Sequence, residues 1–132
     1  MNRRKFLHDS ALGAIGFSLL NKNLACSRLK TRPKPGLGVA LVGLGYYSTD
    51  LLAPALQLTQ NCYLAGIVTG SPEKAERWQK QYNIPEKNIY NYQNFDKIAD
   101  NPAIDVIYIV LPPSMHAEYV VRAAGLVIHV WC

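Results

Sequence analysis

The stretch Gly38-Val39-Ala40-Leu41-Val42-Gly43-Leu44-Gly45-Tyr46-Tyr47-Ser48 decides how this 132-residue chain is read. A short run of small and branched apolar residues leads straight into glycines at 43 and 45, and serine stands where a third glycine would complete a G-x-G-x-x-G loop. The run has the length of a buried strand, and the segment after the loop has helical spacing. In such a unit the first glycine permits a tight turn, and the second lets the backbone approach a pyrophosphate resting on the helix N-terminus. Ser48 is still small enough for close packing of helix on strand. An ordinary glycine-rich turn has the same composition. Position between strand and helix is what makes Gly43, Leu44, Gly45, Tyr46 and Tyr47 candidates for a dinucleotide-binding loop.

Beyond this stretch the pattern alternates between short apolar runs and helical spacing. It predicts strands at 38–42, 63–68, 88–90, 106–111 and 127–131, with helices at 48–58, 72–82, 95–99 and 114–124. Strand and helix in strict alternation imply an α/β fold of the Rossmann type, a doubly wound parallel sheet with its ligand at the carboxyl ends of the strands. Ser71 before Pro72 marks a helix start, and Pro113 with Ser114 marks another. Pro54 fits poorly inside the first helix and predicts a kink or a late start there.

The end of the second strand reads Val68-Thr69-Gly70-Ser71-Pro72-Glu73-Lys74. An NAD-binding unit would carry a carboxylate about 20 residues past the glycine loop, at the strand end, to hold the adenine ribose. Here two hydroxyls and an ammonium stand near, and a carboxylate would in any case repel the additional phosphate of NADP. Thr69, Ser71 and Lys74 suit that phosphate, which makes NADP the expected cofactor and NAD the less favoured one. A cation in the first turn of a helix works against the helix dipole, which suggests that Lys74 has a task; a solvated lysine balanced by Glu73 is the plainer alternative.

The chain opens with Asn2-Arg3-Arg4-Lys5-Phe6-Leu7 and an apolar run at 11–20. That run is shorter than the roughly 20 residues needed to cross a bilayer. A positive stretch, a short apolar stretch and small residues form a secretory signal, and the paired arginines resemble the twin-arginine export motif, with Asn2 in place of the usual Ser or Thr. Residues 1–25 are therefore expected to be a leader and 26–36 a linker rich in Lys, Arg and Pro. The domain is then 37–132, exported to the periplasm or beyond. Cleavage after Ala25 would leave Cys26 first, compatible with a lipid anchor, although Asn23 is not the aliphatic residue a lipobox prefers.

The formal charge of +5 does not point to nucleic acid. Eight of the fourteen Lys and Arg fall within residues 1–34, and from residue 35 onward six basic side chains face eight acidic ones. No nucleic-acid partner is expected. Cys26, Cys62 and Cys132 are too few and too scattered for a disulfide framework or a zinc site, and no metal is expected.

Several motifs together resemble one family. VGLGYYS at 42–48, VTGSPEKA at 68–75, IYNYQNFDKIADNPAIDVIYIVLP at 89–112, SMHAEYVVRAA at 114–124 and HVWC at 129–132 resemble the Gfo/Idh/MocA oxidoreductases, nearest to the periplasmic glucose-fructose oxidoreductase group that retains NADP. The resemblance implies that Thr69 and Lys74 hold the adenosine 2′-phosphate and that Gly70 lies between strand and ligand. It also implies that Leu111 and Pro112, with Pro113, pass beside the nicotinamide ribose. His116 matches the following helix start, where a helix-terminus residue without ligand contact is an equal reading. Tyr92 matches a tyrosine close to the nucleotide, and a buried aromatic is the equal alternative there.

Two departures stand out: Pro113 replaces the usual Asn, and Gly125-Leu126-Val127-Ile128 replaces a polar turn containing Gly and Lys. The family continues past HVWC with Glu-Lys-Pro, whose lysine is catalytic, and with an α/β domain that builds the sugar pocket. The resemblance thus implies an incomplete Rossmann domain, truncated before the C-terminal domain, with no catalytic residue within 1–132 and no turnover of its own. The parent reaction would be hydride transfer between a small-molecule sugar and the nicotinamide, in a protein expected to be a homo-oligomer when intact. Alternatives are an inositol or polyol dehydrogenase of the same family and a non-catalytic exported nucleotide-binding module.

Overall fold

The structure, a computed structural model, describes residues 35–132. The expected leader, Cys26 and residues 26–34 of the linker lie outside the described residues. Five parallel strands, β1 (Leu37–Val42), β2 (Cys62–Val68), β3 (Ile89–Tyr90), β4 (Val106–Ile109) and β5 (His129–Trp131), form one sheet in the order β3-β2-β1-β4-β5. Helices α1 (Ala53–Leu58), α2 (Pro72–Tyr82) and α3 (Pro113–Gly125) complete the α/β arrangement.

The sheet is covered on both faces, and β1 shows why its sequence has no polar alternation. Val39 and Leu41 enter one core with Leu64, Ile67, Ala53 and Trp78 of α2. Ala40 and Val42 enter the other with Val68, Ile107, Ile109, Phe95 and Tyr119 and Ala123 of α3. Successive side chains point to opposite faces, so a central strand buried on both sides must be apolar throughout.

The β1–β2 register slips once. Val39 pairs with Leu64 but Ala40 pairs with Gly66, leaving Ala65 as the extra residue of a bulge. The bulge shifts the phase of β2, so that Leu64 and Ile67, three positions apart, face the same core. The buried Asn88 side chain donates from Nδ2 to the Ala65 carbonyl at 2.7 Å, supplying the bulge with a partner.

The late start expected at Pro54 is present, and three other expectations change in detail. Pro54 is accommodated by a change of helix type: Tyr47–Leu52 forms a π-helical turn, in which the Ala53 N–H reaches back to the Ser48 carbonyl, and α1 follows with Pro54 in its first turn. A proline there needs no N–H partner, whereas deep inside an α-helix its ring would strike the carbonyl four residues back. Residues 95–99 form part of a 3₁₀ helix, Phe95–Asp100, closed by bonds such as Lys97 N–H to the Asn94 carbonyl at 3.0 Å. The predicted strand 106–111 ends at Ile109, and the predicted 127–131 begins at His129.

The marked start of α2 is present, with Ser71 Oγ accepting from the Lys74 N–H and Pro72 at the first helical position. In α3, Pro113 plays that part and no side chain caps the helix. The departure at 125–128 leaves a mark on the backbone. Val127, almost fully exposed, has φ +56°, a left-handed conformation that a β-branched residue adopts only with strain.

Candidate functional site

The chain order reverses direction at β1, which has β2 on one side and β4 on the other. In an open parallel sheet a crevice forms at such a point, outside the strand ends. A cavity of about 490 Å³ lies there. It is bounded by Gly43, Leu44, Gly45, Tyr46 and Tyr47 after β1, by Thr69, Gly70, Ser71 and Lys74 after β2, by Tyr92 after β3, and by Val110, Leu111 and Pro112 after β4.

The glycine loop is held from within. Gly43 has φ +92°, and a Cβ on it would overlap the Val110 carbonyl oxygen, so both the turn and the close approach of β4 require glycine. Its N–H donates to the Val68 carbonyl at 3.0 Å. The buried Ser48 hydroxyl donates to the Gly43 carbonyl at 2.6 Å, so serine in third place closes the loop instead of merely fitting beside it. Thr49 donates to the Gly45 carbonyl from both its N–H, at 3.0 Å, and its Oγ1, at 2.8 Å. Lys74 Nζ donates to the Leu44 carbonyl at 3.2 Å.

All three loop carbonyls therefore accept protein donors. Among the described residues the Leu44 and Gly45 amides donate to no protein group, which leaves the loop with donors to spare. A Cβ on Gly45 would meet nothing within 4 Å, so this glycine borders open space. Spare amides, uncapped helix N–H groups beyond Tyr46 and an adjacent ammonium form a surroundings suited to an anion.

At the end of β2 the two hydroxyls are half used. Thr69 Oγ1 accepts from the Ser71 N–H at 3.2 Å and Ser71 Oγ accepts from the Lys74 N–H at 3.4 Å. A hydroxyl that accepts through its oxygen still has its proton to give. Lys74, tied to the glycine loop, is thus more than a solvated lysine balanced by Glu73.

Tyr92 forms the opposite wall, and a Cβ on Gly70 would come within 3.1 Å of its ring. The ring meets Tyr119 edge-on at 5.4 Å. Burial, with Tyr119 adding to it, pushes the Tyr92 phenol above its ordinary pKa. Tyr92 is thus both a half-buried aromatic and a cavity wall.

Of the residues the sequence offers for the site, Pro113 and His116 do not line this cavity; Pro113 opens α3, and His116 follows it. His116 lies in the first turns of α3, where its N–H donates to the Pro112 carbonyl at 3.0 Å and its Nδ1 is 3.4 Å from the Leu111 carbonyl. It braces the loop that lines the cavity. Val110 is an addition that sequence reasoning missed: with β4 carried through to residue 111 it would be a strand interior residue, but the strand stops at Ile109. Among the described residues no cluster of three His, Cys, Asp or Glu side chains stands ready for a metal.

Comparison with known proteins gives this geometry a context. Residues 37–132 match the family described as "Oxidoreductase family, NAD-binding Rossmann fold", Gfo/Idh/MocA. The D-xylose 1-dehydrogenase [NADP(+)] of Haloarcula marismortui is 32% identical over 87 residues, which are 66% of this chain and 24% of that protein. The crystal structure of an aldose-aldose oxidoreductase from Caulobacter crescentus, complexed with glycerol, superposes with a TM-score of 0.70 at 42% identity, covering 72% of this chain and 28% of that one. A 3-ketoreductase from Actinomadura kijaniata, in complex with TDP-benzene and NADP, shares the fold at 21% identity and a TM-score of 0.62, covering 72% of this chain and 28% of that one. The chain spans about a quarter of the length of the curated relatives it matches. The family match over nearly all the described residues, on a sheet of this order with a glycine loop at its centre, places the chain in the Gfo/Idh/MocA oxidoreductases, with residues 37–132 as their nicotinamide-dinucleotide-binding Rossmann fold.

Proposed function

We propose that this chain is the NADP-binding part of an exported sugar oxidoreductase, in which hydride passes between a sugar carbon and the nicotinamide. The observation that carries the NADP assignment is the end of β2. Thr69 and Ser71 each keep a proton to donate after accepting a backbone N–H, and the Lys74 ammonium stands beside them, with no carboxylate on the strand end. These groups suit a phosphate on the adenosine ribose, where NAD has only a hydroxyl. The glycine loop, with its carbonyls occupied and amides to spare, would hold the pyrophosphate; Leu111 and Pro112 would border the nicotinamide half. When bound, the nicotinamide supplies the hydride chemistry.

The sugar assignment draws on the relatives, one named for D-xylose and one for aldoses. Export draws on the paired arginines and apolar run of residues 1–25. Binding and orientation are the work assigned to residues 37–132. The acid and base of the reaction, the sugar pocket and the homo-oligomeric assembly belong to the parent protein in this reading.

Calorimetric titration of the chain with NADP and with NAD tests the cofactor. NADP is expected to bind more tightly, and Lys74→Ala is expected to weaken NADP by about 10- to 100-fold, the worth of one hydrogen bond to a charged group, with NAD changed by less than about 3-fold. Tighter binding of NAD by the wild type, or indifference of NADP to Lys74→Ala, would refute the assignment. For export, replacing Arg3 and Arg4 by lysine is expected to hold the protein in the cytoplasm, read by cell fractionation; unchanged release would sink the twin-arginine reading.

A further inference from the structure

We infer that Arg122, on α3 and outside the cavity, is a positioning residue for nucleotide binding that acts by fixing Tyr92 against Gly70. The inference rests on the nucleotide-binding reading of the cavity that Tyr92 lines.

Tyr92 sits in a short loop between β3 and the 3₁₀ helix that begins at Phe95. The loop is knitted by its own side chains: Asn94 Oδ1 accepts from the Asn91 N–H at 2.8 Å, and Asn91 Oδ1 accepts from Gln93 and Asn94 at 3.0 and 2.9 Å. These bonds fix the shape of the loop, and the Thr69 N–H, donating to the Tyr90 carbonyl at 3.0 Å, ties its start to the end of β2. Arg122 ties the rest of it to α3. Its guanidinium forks onto Asp96, Nη2 to Oδ2 at 2.9 Å and Nε to Oδ1 at 3.3 Å, and Nη1 reaches the Tyr92 carbonyl at 3.5 Å.

The same guanidinium lies over the Phe95 and Tyr119 rings, 5.1 and 4.9 Å from their centroids. Tyr119 in turn backs the Tyr92 ring. Arg122 therefore grips Tyr92 by its backbone and supports its ring through Tyr119. A planar fork that stacks and donates on several sides is specific to arginine; lysine keeps the charge but neither the fork nor the stacking. Helix α3 thereby carries both far walls of the cavity, with Leu111 and Pro112 at its entry and Tyr92 held two to three turns further along.

A double-mutant cycle on the full chain, read by calorimetric titration with NADP and by circular dichroism, tests this. Arg122→Lys is expected to stay folded and to weaken NADP about 5- to 10-fold. Tyr92→Leu is expected to weaken it by at least as much, and the double variant to bind no more weakly than Tyr92→Leu alone. Additive losses would mean that Arg122 acts on the whole domain and not through Tyr92, and would overturn the inference. Wild-type affinity in Arg122→Lys would overturn it as well. If Arg122→Lys does not fold, Asp96→Asn releases the same fork from an exposed side chain, with the same non-additivity against Tyr92→Leu expected and additivity again decisive against it. A wild-type chain that binds neither NADP nor NAD would remove the nucleotide reading and this inference together, whereas wild-type binding with an unaffected variant removes the inference alone.

Discussion

Gly38→Ala is expected to remove more than about 4 kcal/mol of stability, most or all of what a domain of this size has. A Cβ at residue 38 would overlap the Ala103 carbonyl oxygen and lie 3.0 Å from both the Ala103 carbonyl carbon and the Ala65 Cβ. The obstacle is backbone, and it cannot withdraw. Gly38 N–H donates to Asp105 Oδ2 at 2.9 Å, and the Asp105 N–H donates to the Gly38 carbonyl at 2.8 Å. Moving the 103–105 segment away breaks both bonds at the entrance to β4, a central strand whose Ile107 is fully buried. Thermal unfolding followed by circular dichroism is the check. A midpoint within about 5 °C of wild type, which corresponds to roughly 1 kcal/mol, would contradict the argument.

The second large effect is expected at Asn88. Asn88→Ala leaves the Ala65 carbonyl of the bulge without its donor and also removes the acceptor for Asn101 Nδ2, at 2.7 Å from Asn88 Oδ1. Asn101 donates to the Tyr90 hydroxyl at 2.8 Å and accepts from the Ala103 N–H at 2.9 Å, so the Asn88 and Asn101 amides together connect the bulge, β3 and the approach to β4. A buried carbonyl that loses its partner keeps its full desolvation penalty, and networks lose more than a single bond. The expected loss is about 2 to 4 kcal/mol. Asn88→Asp should be no better, because a carboxylate has no proton for the Ala65 carbonyl. Urea unfolding measures both; a loss under 1 kcal/mol for either would show that the bulge finds another donor.

These two positions also mark where sequence reading stops. The alternation of apolar runs and helical spacing was enough for five parallel strands and for α2 and α3, because burial on both faces imposes long apolar runs that few other folds need. Glycines at 43 and 45 after such a run were enough to locate the cavity, and Thr69, Ser71 and Lys74 were legible as its neighbours because they directly follow the end of the second strand. The bulge was hidden, since Leu64-Ala65-Gly66-Ile67 is apolar in every register and a phase slip leaves no trace in composition. Asn88 read as the start of a strand when it belongs to the 3₁₀ turn before it. Lys74 to Leu44 spans 30 positions, and Arg122 to Tyr92 the same number, distances over which only the folded chain brings donor to acceptor. For His116 the motif leaves two readings open, and α3 brings its ring to the Leu111 carbonyl of its own entry loop.

The internal bonding of the glycine loop bears on the thermodynamics of association. With Ser48, Thr49 and Lys74 each holding one of its carbonyls, the loop takes its conformation from the protein and not from whatever it faces. Fixing a backbone residue costs roughly 1 to 2 kcal/mol in entropy, and here that cost is met when the chain folds. An incoming ligand finds a rigid mould, so little of its contact energy is diverted into ordering the peptide around it, and preorganisation appears directly as affinity.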